Sequence, residues 1–416
     1  MTIELLPLEG ITVVALEQAV AAPLATRHLA DLGARVIKIE RVGEGDFARN
    51  YDNAVLGLAS HFVWLNRGKE SVAINLKSAQ GRALSERLIA TADVFVQNAA
   101  PGAASRLGLD ADELTRKHPR LIIAGISGYG TAGPLKDRKA YDMLIQAEAG
   151  LISITGTPDT ATKTGIPTSD IAAGLYTTQA VLAALFRREH TGRGGVVDIS
   201  MFDATVEWLG HPMYMQMYGG RQIPRMGLSH ASIAPYDAYP TADGQILIGV
   251  QNDRGWRALV TDVFGRPELA DRPDLATNPL RVANREECDR VVAEHTRRFA
   301  TADLDARLAD AGVPAAQIND LAKVVAHEQL SSRDRWRSID TPSGPVDAVL
   351  PPMTFRDVEL PMGGVPALGE HTREILGTLG LTAQDIERLV ADGVVGVHES
   401  QPPSPAGDSG AGTLSA

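Results

Sequence analysis

Short apolar runs alternate with longer amphipathic stretches in the first half of the chain. The stretches between the runs have the length and apolar spacing of helices. Strands that alternate with helices of ten or more residues pair in parallel. The pattern therefore predicts an α/β fold whose large domain carries a parallel, Rossmann-like sheet. The predicted strands are 11–16, 34–40, 71–76, 94–98 and 121–126.

The pattern changes beyond Gly219, where loops and short strands precede a further set of helices. A turn at 242–244 separates two apolar runs, which predicts an antiparallel hairpin. We interpret this part as a smaller α+β domain. The predicted division is 1–205 for the N-terminal part of the large domain, 206–225 for a linker, 226–330 for the small domain, 331–395 for a return linker and the C-terminal part of the large domain, and 396–416 for a tail. The tail is rich in Pro, Gly and Ser and poor in apolar residues, which predicts disorder.

Composition and charge narrow the possible partners. The formal net charge is −11, whereas a nucleic-acid backbone is bound by a basic face, so we expect no nucleic-acid partner. Cys288 is the only cysteine, which excludes an intrachain disulfide and favours a cytoplasmic setting. Its charged neighbours indicate a bystander on a helix face. Because no apolar run reaches about 18 residues, we expect no membrane span, and the first ten residues lack the pattern of a signal peptide.

Asp170 is the first candidate for chemistry, since it lies at the start of an apolar helix that ends in basic residues and a glycine. A carboxylate at this place lies in the positive field of the helix terminus, which is expected to keep it ionised and fixed in position. Such a carboxylate is able to act as a nucleophile toward an acyl group. The alternative is that Asp170 is only an N-cap, the common use of Asp before a helix.

Nine segments, in order between residues 8 and 390, together resemble the class III CoA-transferases (CaiB/BaiF type). This family includes formyl-CoA transferase, carnitine CoA-transferase and α-methylacyl-CoA racemase. The resemblance implies a large CoA-binding domain, a smaller domain and a homodimer of interlocked rings. The segments are LEGITVVAL, LGARVIKIER with GEGD, LNRGKESVAINLK, DVFVQNAAPGAASRLGL, ISGYGTAGP, AYDMLIQAEAG, TGIPTSDIAAG, HTGRGGVVDISMFDA and LGEHTREIL.

The resemblance also implies roles for single residues. Asp170 falls on the family's nucleophile, which forms a mixed anhydride with the acyl group and then a thioester with CoA. CoA is a substrate, so we expect no permanent cofactor and no metal. Backbone amides of 18–20 and 226–228 are candidate oxyanion donors. The implied CoA contacts are Gln18, Ala19, Val20, Arg41, Lys69, Asn98, Arg106 and Lys139.

Several of these residues have an ordinary structural alternative. Arg41, Lys69 and Lys139 are the kind of residue that is most often a solvated surface cation, and Asn98 is equally a turn former. His28 lies within a predicted helix and is interpreted as a packed or surface histidine.

Two departures from the family pattern bear on the reaction. Tyr141 stands where the racemases have a proton-carrying histidine, which favours transfer over racemisation or epimerisation. Tyr141 is predicted to contact substrate, with a buried core tyrosine as the alternative. A non-catalytic CoA-ester binding protein is a third possibility.

The second departure is the loop 225–235, which has a single glycine where formyl-CoA transferase has several. Arg225, Ser229 and His230 are predicted to contact the acceptor acid, with an ordinary exposed loop histidine as the alternative for His230. Three stretches resemble most the branch that uses succinyl-CoA and short dicarboxylates such as itaconate, mesaconate, citramalate or malate: PRMGLSHASIAPY, LNRGKESVAINLK and YDMLIQAEAGLISITGTP.

Overall fold

The computed structural model describes residues 5–399 and divides into two compact units. The first unit comprises Met1–Ile145, Ile166–Glu207 and Trp336–Ala416, and the second comprises Gln146–Gly165 and Trp208–Arg335. The chain thus leaves the first unit twice and returns to it twice. Residues 146–165, which the sequence analysis places in the large domain, group with the second unit, and the predicted linker 206–225 contains a helix. The predicted domain division stays a prediction.

The strands follow the apolar runs closely, and those predicted in the first half of the chain are confirmed to within two residues at each end. In chain order they are β1 Thr12–Leu16, β2 Arg35–Glu40, β3 Lys69–Ile74, β4 Val94–Gln97, β5 Ile122–Ser127, β6 Gly195–Ser200, β7 Tyr236–Pro240, β8 Gln245–Gly249, β9 Ala315–Gln317, β10 Trp336–Ile339, β11 Val346–Val349 and β12 Val395–Gly396.

The helices vary from single turns to the 24 residues of α8. In chain order they are α1 Ala21–Asp31, α2 Ser60–Asn66, α3 Ala79–Ile89, α4 Ala103–Arg106, α5 Ala111–Lys117, α6 Asp142–Glu148, α7 Leu151–Ile154, α8 Thr168–Thr191, α9 Met201–Trp208, α10 Gly210–Gly219, α11 Asp253–Ala258, α12 Asn278–Ala283, α13 Arg285–Thr296, α14 Thr301–Asp310, α15 Leu321–Val325, α16 Glu328–Ser331, α17 Thr372–Thr378 and α18 Ala383–Ala391. A 3₁₀ turn covers Phe47–Asn50. Of the helices in the described part, none is long and apolar enough to cross a membrane.

The first unit is built on a seven-stranded sheet in the order β12-β3-β2-β1-β4-β5-β6. All neighbouring pairs are parallel except β12 with β3, which confirms the predicted α/β class and parallel sheet. The chain reverses its direction of progress between β1 and β4. The loops that follow these two strands lead to helices on opposite faces of the sheet, and the carboxyl edge at such a point is where open α/β sheets bind ligands.

Helices cover both faces of this sheet because its strands are apolar on both sides. Along β1, Val13 and Ala15 belong to the core beneath α1 and α8, whereas Val14 belongs to the core beneath α3, α17 and α18. The backbones of α8 and α1 approach closely at Gly174, where a Cβ atom would lie 2.7 Å from the carbonyl oxygen of Ala21. This close contact fixes the second turn of α8 against the start of α1.

The second unit has its own sheet and core. Strands β7, β8 and β9 form an antiparallel sheet, and the predicted hairpin is confirmed by the bond from the Thr241 amide to the Gly244 carbonyl, 2.9 Å long. Cys288 lies on α13 as expected, and its side chain is fully buried in this core; its interpretation as a bystander stays a prediction.

The C-terminal part of the chain closes one edge of the large sheet. Val395 and Gly396 pair with Ile74 and Ala73 of β3, so the predicted tail begins later than residue 396. The remainder of the predicted disordered tail, 400–416, lies outside the described residues.

Candidate active site

The loops after β1 and β4 are joined at the point where the strand order reverses. The Gln18 backbone amide donates to Asn98 Oδ1 at 3.0 Å, and Asn98 Nδ2 donates to the Gln18 carbonyl at 2.8 Å. Asn98 is therefore more than a turn former, because its side chain fixes the neighbouring loop. Arg41 Nη2 donates to Gln18 Oε1 at 3.3 Å. This bond occupies the side-chain oxygen of Gln18. The side-chain nitrogen of Gln18, which is a donor, is thereby directed away from Arg41.

Three of the backbone amides predicted as oxyanion donors already donate hydrogen bonds within the protein. The Gln18 amide bonds to Asn98, the Ala19 amide donates to Asp46 Oδ1 at 3.1 Å, and the Gly227 amide donates to the Gly156 carbonyl at 2.8 Å. These three amides are occupied in this conformation, and oxyanion stabilisation by the backbone amides of 18–20 and 226–228 stays a prediction.

Asp170 is the third residue of α8, so it lies inside the first turn. The residue that precedes the helix is Pro167, and the helix start is capped by another carboxylate: Asp142 Oδ1 accepts from the amides of Ser169 at 2.8 Å and Asp170 at 3.2 Å. The interpretation of Asp170 as an N-cap is therefore wrong. Ile171, the next residue, packs against a small cluster formed by Val20, Leu24 and Leu65, which includes the residue at the end of the loop after β1.

The electrostatics of Asp170 also differ from the expectation. Burial and the neighbouring charge of Asp142 raise the pKa of Asp170 to about 7. Desolvation disfavours the ionised form, and a second carboxylate disfavours it further. The prediction that the helix field simply keeps Asp170 ionised is wrong. The pKa of Asp170 instead lies near neutral pH, as is common for residues that react or transfer protons.

Tyr51 is a site residue that the sequence analysis missed. It follows the 3₁₀ turn Phe47–Asn50, and its pKa is raised to about 12 by burial and by Asp46, Asp170 and Tyr141. Tyr51, Asp170 and Tyr141 thus share one electrostatic environment. Tyr141 is 66% exposed, so the alternative of a buried core tyrosine is wrong. No local pattern in the sequence singles out Tyr51, since its proximity to Asp170 arises only in the folded unit.

Lys69 has a different environment from the other predicted CoA contacts. Its ammonium donates to Glu17 Oε1 at 2.7 Å, the Pro23 carbonyl at 2.9 Å and Asn66 Oδ1 at 3.1 Å, and the side chain is fully buried. The alternative of a solvated surface lysine is wrong, and the three donors of the ammonium group are occupied. This geometry does not support a contact between Lys69 and CoA, which stays a prediction.

Three further cations are exposed, as a contact with phosphate requires. Arg41 contacts Glu44 at 4.0 Å with its side chain 62% exposed, and Arg106 and Lys139 are exposed as well. Beyond Asn98, a cavity of about 300 Å³ opens at the carboxyl ends of β4 and β5. It is lined by the loop 99–102, by Ser127 and by Lys136 and Asp137, among others.

His28 is packed rather than catalytic in this structure, as expected. It is buried beside Arg27, whose Nη2 lies 3.1 Å from His28 Nε2. Burial and the nearby Arg27 and Arg67 charges lower the pKa of His28 to about 4. A neutral, buried imidazole that is paired in this way serves the interior of the fold.

The predicted acceptor residues lie in the second unit, where each has a partner. Arg225 donates to the carbonyls of Thr157 at 3.0 Å and Pro158 at 2.9 Å. Ser229 donates to Asp237. His230 Nδ1 accepts from the Ser232 amide at 3.1 Å. These contacts give the loop a defined shape, and acceptor binding by its side chains stays a prediction.

His230 is not an ordinary exposed loop residue, because its ring stacks on Tyr236 with 5.3 Å between the centroids. The Nδ1 bond leaves the ring proton of the neutral form on Nε2. Burial lowers the pKa of His230, and nearby His211 and Arg285 lower it further, so the neutral form is favoured.

Comparisons with known proteins agree on one family. A model described as CoA-transferase family III matches residues 8–372. The chain is 34% identical over 400 residues to succinyl-CoA:glutarate CoA-transferase of Mus musculus, with 95% of this chain and 92% of that protein covered. It is 32% identical over 396 residues to succinyl-CoA–D-citramalate CoA-transferase of Chloroflexus aurantiacus, with coverage of 94% and 98%. A solved structure of a CAIB/BAIF family protein from Brucella suis matches with a TM-score of 0.79 and 36% identity, covering 90% of this chain and 99% of that chain.

Proposed function

The chain belongs to CoA-transferase family III, and from this premise we propose that it transfers CoA from an acyl-CoA, with succinyl-CoA as the donor, to a short dicarboxylic acid. Similarity to transferases whose names specify succinyl-CoA with glutarate or D-citramalate supports this choice. The acceptors named in the sequence analysis, itaconate among them, belong to the same chemical class. The observation that carries the proposal is Asp170, a half-buried carboxylate with a pKa near 7 at the carboxyl edge of the sheet.

The proposed reaction begins with the ionised Asp170. One carboxylate oxygen attacks the thioester carbonyl, the C–S bond breaks, and CoA leaves as a thiolate from a mixed anhydride. The thiolate then attacks the aspartyl carbonyl, which expels the donor's carboxylate and leaves an aspartyl-CoA thioester. The acceptor carboxylate repeats these two steps in reverse order, so that CoA leaves on the acceptor and Asp170 is regenerated. Covalent catalysis divides one difficult exchange into easier steps.

Each tetrahedral intermediate develops a negative oxygen that needs a donor. The Gln18 Nε2 group suits this role because Arg41 occupies the oxygen of the same amide. A single such donor is worth about 3 kcal/mol of transition-state stabilisation. The Tyr51 and Tyr141 hydroxyls, in the same electrostatic environment as Asp170, are additional candidates to contact the acyl group.

CoA is proposed to lie along the carboxyl edge of the sheet. Exposed Arg41, Arg106 and Lys139 provide cations for its phosphates, while Gln18–Val20 and Asn98 contact its uncharged portions. The cavity beyond Asn98 offers room for one end of the molecule. Because the Lys69 ammonium is enclosed by protein acceptors, its influence on CoA is proposed to be indirect.

The acceptor is proposed to contact Arg225, Ser229 and His230. A second carboxylate on the substrate requires a cation or several donors, since an unpaired buried charge is costly. Arg225 is fixed by two carbonyls and carries the positive charge of this loop segment. His230 Nε2 and the Ser229 hydroxyl add groups that form hydrogen bonds.

We also propose that the protein is a cytoplasmic homodimer. Leu175, Leu182 and Phe186 on α8 are 43%, 36% and 70% exposed, and their spacing places them along one side of the helix. A row of exposed apolar side chains, on a helix whose other side packs in the core, is typical of a protein interface. The family resemblance supplies the proposed arrangement, two interlocked rings.

The test is a product screen with purified protein. Succinyl-CoA is incubated separately with glutarate, itaconate, mesaconate, citramalate, malate and, as a monocarboxylate control, butyrate, and new CoA esters are measured by mass spectrometry. We expect CoA esters of dicarboxylates and a CoA or acyl adduct on Asp170. Absence of both from folded protein would contradict the proposed function.

Racemisation or epimerisation is the alternative within the family, and the same protein tests it. Asp142 and Asp170 are two neighbouring carboxylates that could carry a proton, although Asp142 Oδ1 is used as a helix cap. Incubation of a 2-methylacyl-CoA in D₂O separates the two reactions. Deuterium at the α-carbon without any CoA transfer would favour a racemase.

A further inference from the structure

A group of ion pairs lies buried beneath the loop that follows β1. Lys38 Nζ contacts Asp46 Oδ2 at 2.8 Å and Glu17 Oε1 at 3.4 Å, and Lys69 contacts the same Glu17 oxygen at 2.7 Å. The four side chains are fully buried. Apolar residues of similar size would fill this space at lower cost in desolvation. The charged groups therefore need a reason beyond stability.

The second oxygen of Asp46 supplies that reason. Asp46 Oδ1 accepts from the Ala19 amide at 3.1 Å and from the Ala48 amide at 2.9 Å. Ala19 belongs to the loop after β1, and Ala48 belongs to the 3₁₀ turn that leads to Tyr51. One carboxylate thus links a strand lysine to two separate segments of the candidate active site.

The amide that Asp46 accepts from belongs to a residue in an unusual backbone conformation, Ala19. Its φ of +64° lies in the left-handed region, which residues with a Cβ atom adopt infrequently. The neighbouring Gln18 is held by Asn98 through both its amide and its carbonyl. If Ala19 relaxed to an ordinary conformation, the path of the chain around Gln18 would change.

The turn on the other side of Asp46 is held by a second buried carboxylate. Glu40 accepts from the Asp46 amide at 3.0 Å and pairs with Arg49 through two bonds of 2.8 and 2.7 Å. The Arg49 guanidinium also lies 3.7 Å from the centre of the Phe62 ring. The segment from Asp46 to Tyr51 is thereby fixed at both ends of its turn.

We propose that Asp46 is a positioning residue, with Lys38 as its counter-ion, that holds the Gln18–Ala19 loop and the Tyr51 turn in the geometry required for acyl transfer. Asp46 does not touch substrate and acts through the backbone amides of Ala19 and Ala48. The proposal rests on the proposed transferase function for its kinetic part and on the fold alone for its structural part.

The kinetic test uses the full-length protein and a rescue. Asp46→Ala removes both amide contacts, and we expect kcat to fall by about 100-fold, the scale of a displaced catalytic group. Adding Ala19→Gly to Asp46→Ala is expected to raise kcat again by about tenfold, because glycine adopts a positive φ without penalty. A lesion that merely destabilised the protein would not be relieved by a more flexible loop.

The matched control is Asp31→Asn, which alters another buried carboxylate of the first unit. Asp31 pairs with Arg27 and Arg67, and its side-chain oxygens accept hydrogen bonds from these two arginines. We expect a lower thermal midpoint but a kcat within about twofold of wild type. An equal loss of kcat in the Asp31 and Asp46 variants, or no recovery with Ala19→Gly, would overturn the proposal.

Two further measurements keep the proposal testable. If Asp46→Ala fails to fold, Ala19→Val leaves every charge in place and disfavours the left-handed conformation, because a β-branched residue rarely adopts it. We expect kcat to fall by about tenfold or more, and wild-type kcat would overturn the proposal. Hydrogen exchange in a peptide that contains Ala19 should be faster in Asp46→Ala or Asp46→Asn than in Asp31→Asn.

Hydrogen exchange requires no turnover, so it tests the positioning role of Asp46 separately from the proposed transferase function. Wild-type protein that transfers CoA to no acceptor would remove the proposed function. Unchanged exchange at Ala19 in both Asp46 variants would remove the positioning role, whether or not the protein is a transferase.

Discussion

Asp142 Oδ1 accepts hydrogen bonds from the amides of Ser169 and Asp170, at 2.8 and 3.2 Å, so the carboxylate that caps α8 also opposes the ionisation of Asp170. A cap stabilises a helix by satisfying its first amides. Here the cap has a second effect, since its charge helps to raise the pKa of Asp170 to about 7. The proposed nucleophile is therefore tuned by the residue that positions it.

Activity should depend on pH through this carboxylate. Asp170 attacks only when ionised, so we expect kcat/KM for succinyl-CoA to rise as the pH increases through about 7, the pKa of the free enzyme. Asp142→Asn keeps an oxygen acceptor for the two amides and removes the charge, so the rising limb should move to lower pH. Asp112→Asn, at an exposed position, is the control and should leave the limb in place. An Asp142→Asn profile identical to wild type would contradict this coupling.

Asp170→Asn should abolish transfer while retaining CoA binding. The amide occupies the same space but cannot form the anhydride, so the covalent path is removed. Turnover is measured as new CoA ester and binding by calorimetry with CoA. Measurable turnover by folded Asp170→Asn protein would disprove Asp170 as the nucleophile.

The same substitution should stabilise the protein at alkaline pH. The folded-state pKa of Asp170, about 7, is above its ordinary value of 3.8, so the folded state binds the proton more tightly and loses stability as the pH rises from about 4 to 7. Each pKa unit is worth about 1.4 kcal/mol; because the group is partly exposed, we expect Asp170→Asn to gain on the order of 2 kcal/mol at pH 8. The free energy of unfolding is measured in urea, and near pH 3.5 Asp170→Asn and wild type should have the same value. A gain that is independent of pH would argue against this origin.

Substitution of Lys139 should weaken the binding of CoA, whereas substitution of Lys69 should destabilise the fold. Lys139→Met should raise the KM for succinyl-CoA about fivefold, because an exposed cation near phosphate is lost, and leave the unfolding midpoint unchanged. Lys69→Met should destabilise by about 3 kcal/mol, since it removes one partner of a buried ion pair with Glu17. Kinetics and urea unfolding are measured on both variants. A large KM effect without destabilisation in Lys69→Met would restore Lys69 as a direct CoA contact.

Arg225 should distinguish dicarboxylates from monocarboxylates. Arg225→Ala removes a fixed positive charge, so we expect the acceptor KM to rise at least tenfold for glutarate or itaconate and much less for butyrate. Arg221→Ala, an exposed arginine four residues earlier, is the control and should alter neither value appreciably. Equal increases for both acids with Arg225→Ala would remove this loop from acceptor recognition.

The apolar stripe on α8 should determine the oligomeric state. Phe186→Glu introduces a charge at the most exposed of the three apolar positions, so a dimer that buries it should dissociate or weaken, as measured by light scattering at low concentration. Arg187→Glu is the control, because residue 187 lies about 140° around the helix from residue 182. An unchanged dimer mass in Phe186→Glu would place the interface elsewhere.

The sheet was predictable because its signal is local. Runs such as ITVVAL and LIIAGI are apolar on both faces, which is typical of parallel strands covered by helices. Strand β12 was missed because two residues carry no periodicity. Their pairing with β3 depends on segments more than 300 positions apart along the chain.

The site was predictable only where family resemblance or chain position marks a residue. Asp170 lies at a visible helix start, whereas its cap, Asp142, lies 28 residues earlier and contacts it only after folding. Lys69 was expected to be exposed because lysines usually are, and Glu17, the carboxylate that explains its burial, is distant in sequence. Tyr51 had no motif of its own.

The edge strand β12 has a consequence for how the protein is made. Its partner β3 ends at Ile74, and β12 begins at Val395, so about 320 residues are translated between them. At roughly 5–20 residues per second, the emerging β3 edge waits on the order of half a minute on the ribosome for its natural neighbour. Helices α17 and α18, which cover the same face, emerge equally late. During that interval the nascent chain exposes an unpaired strand edge and an apolar surface, the features that make partly folded chains prone to aggregation.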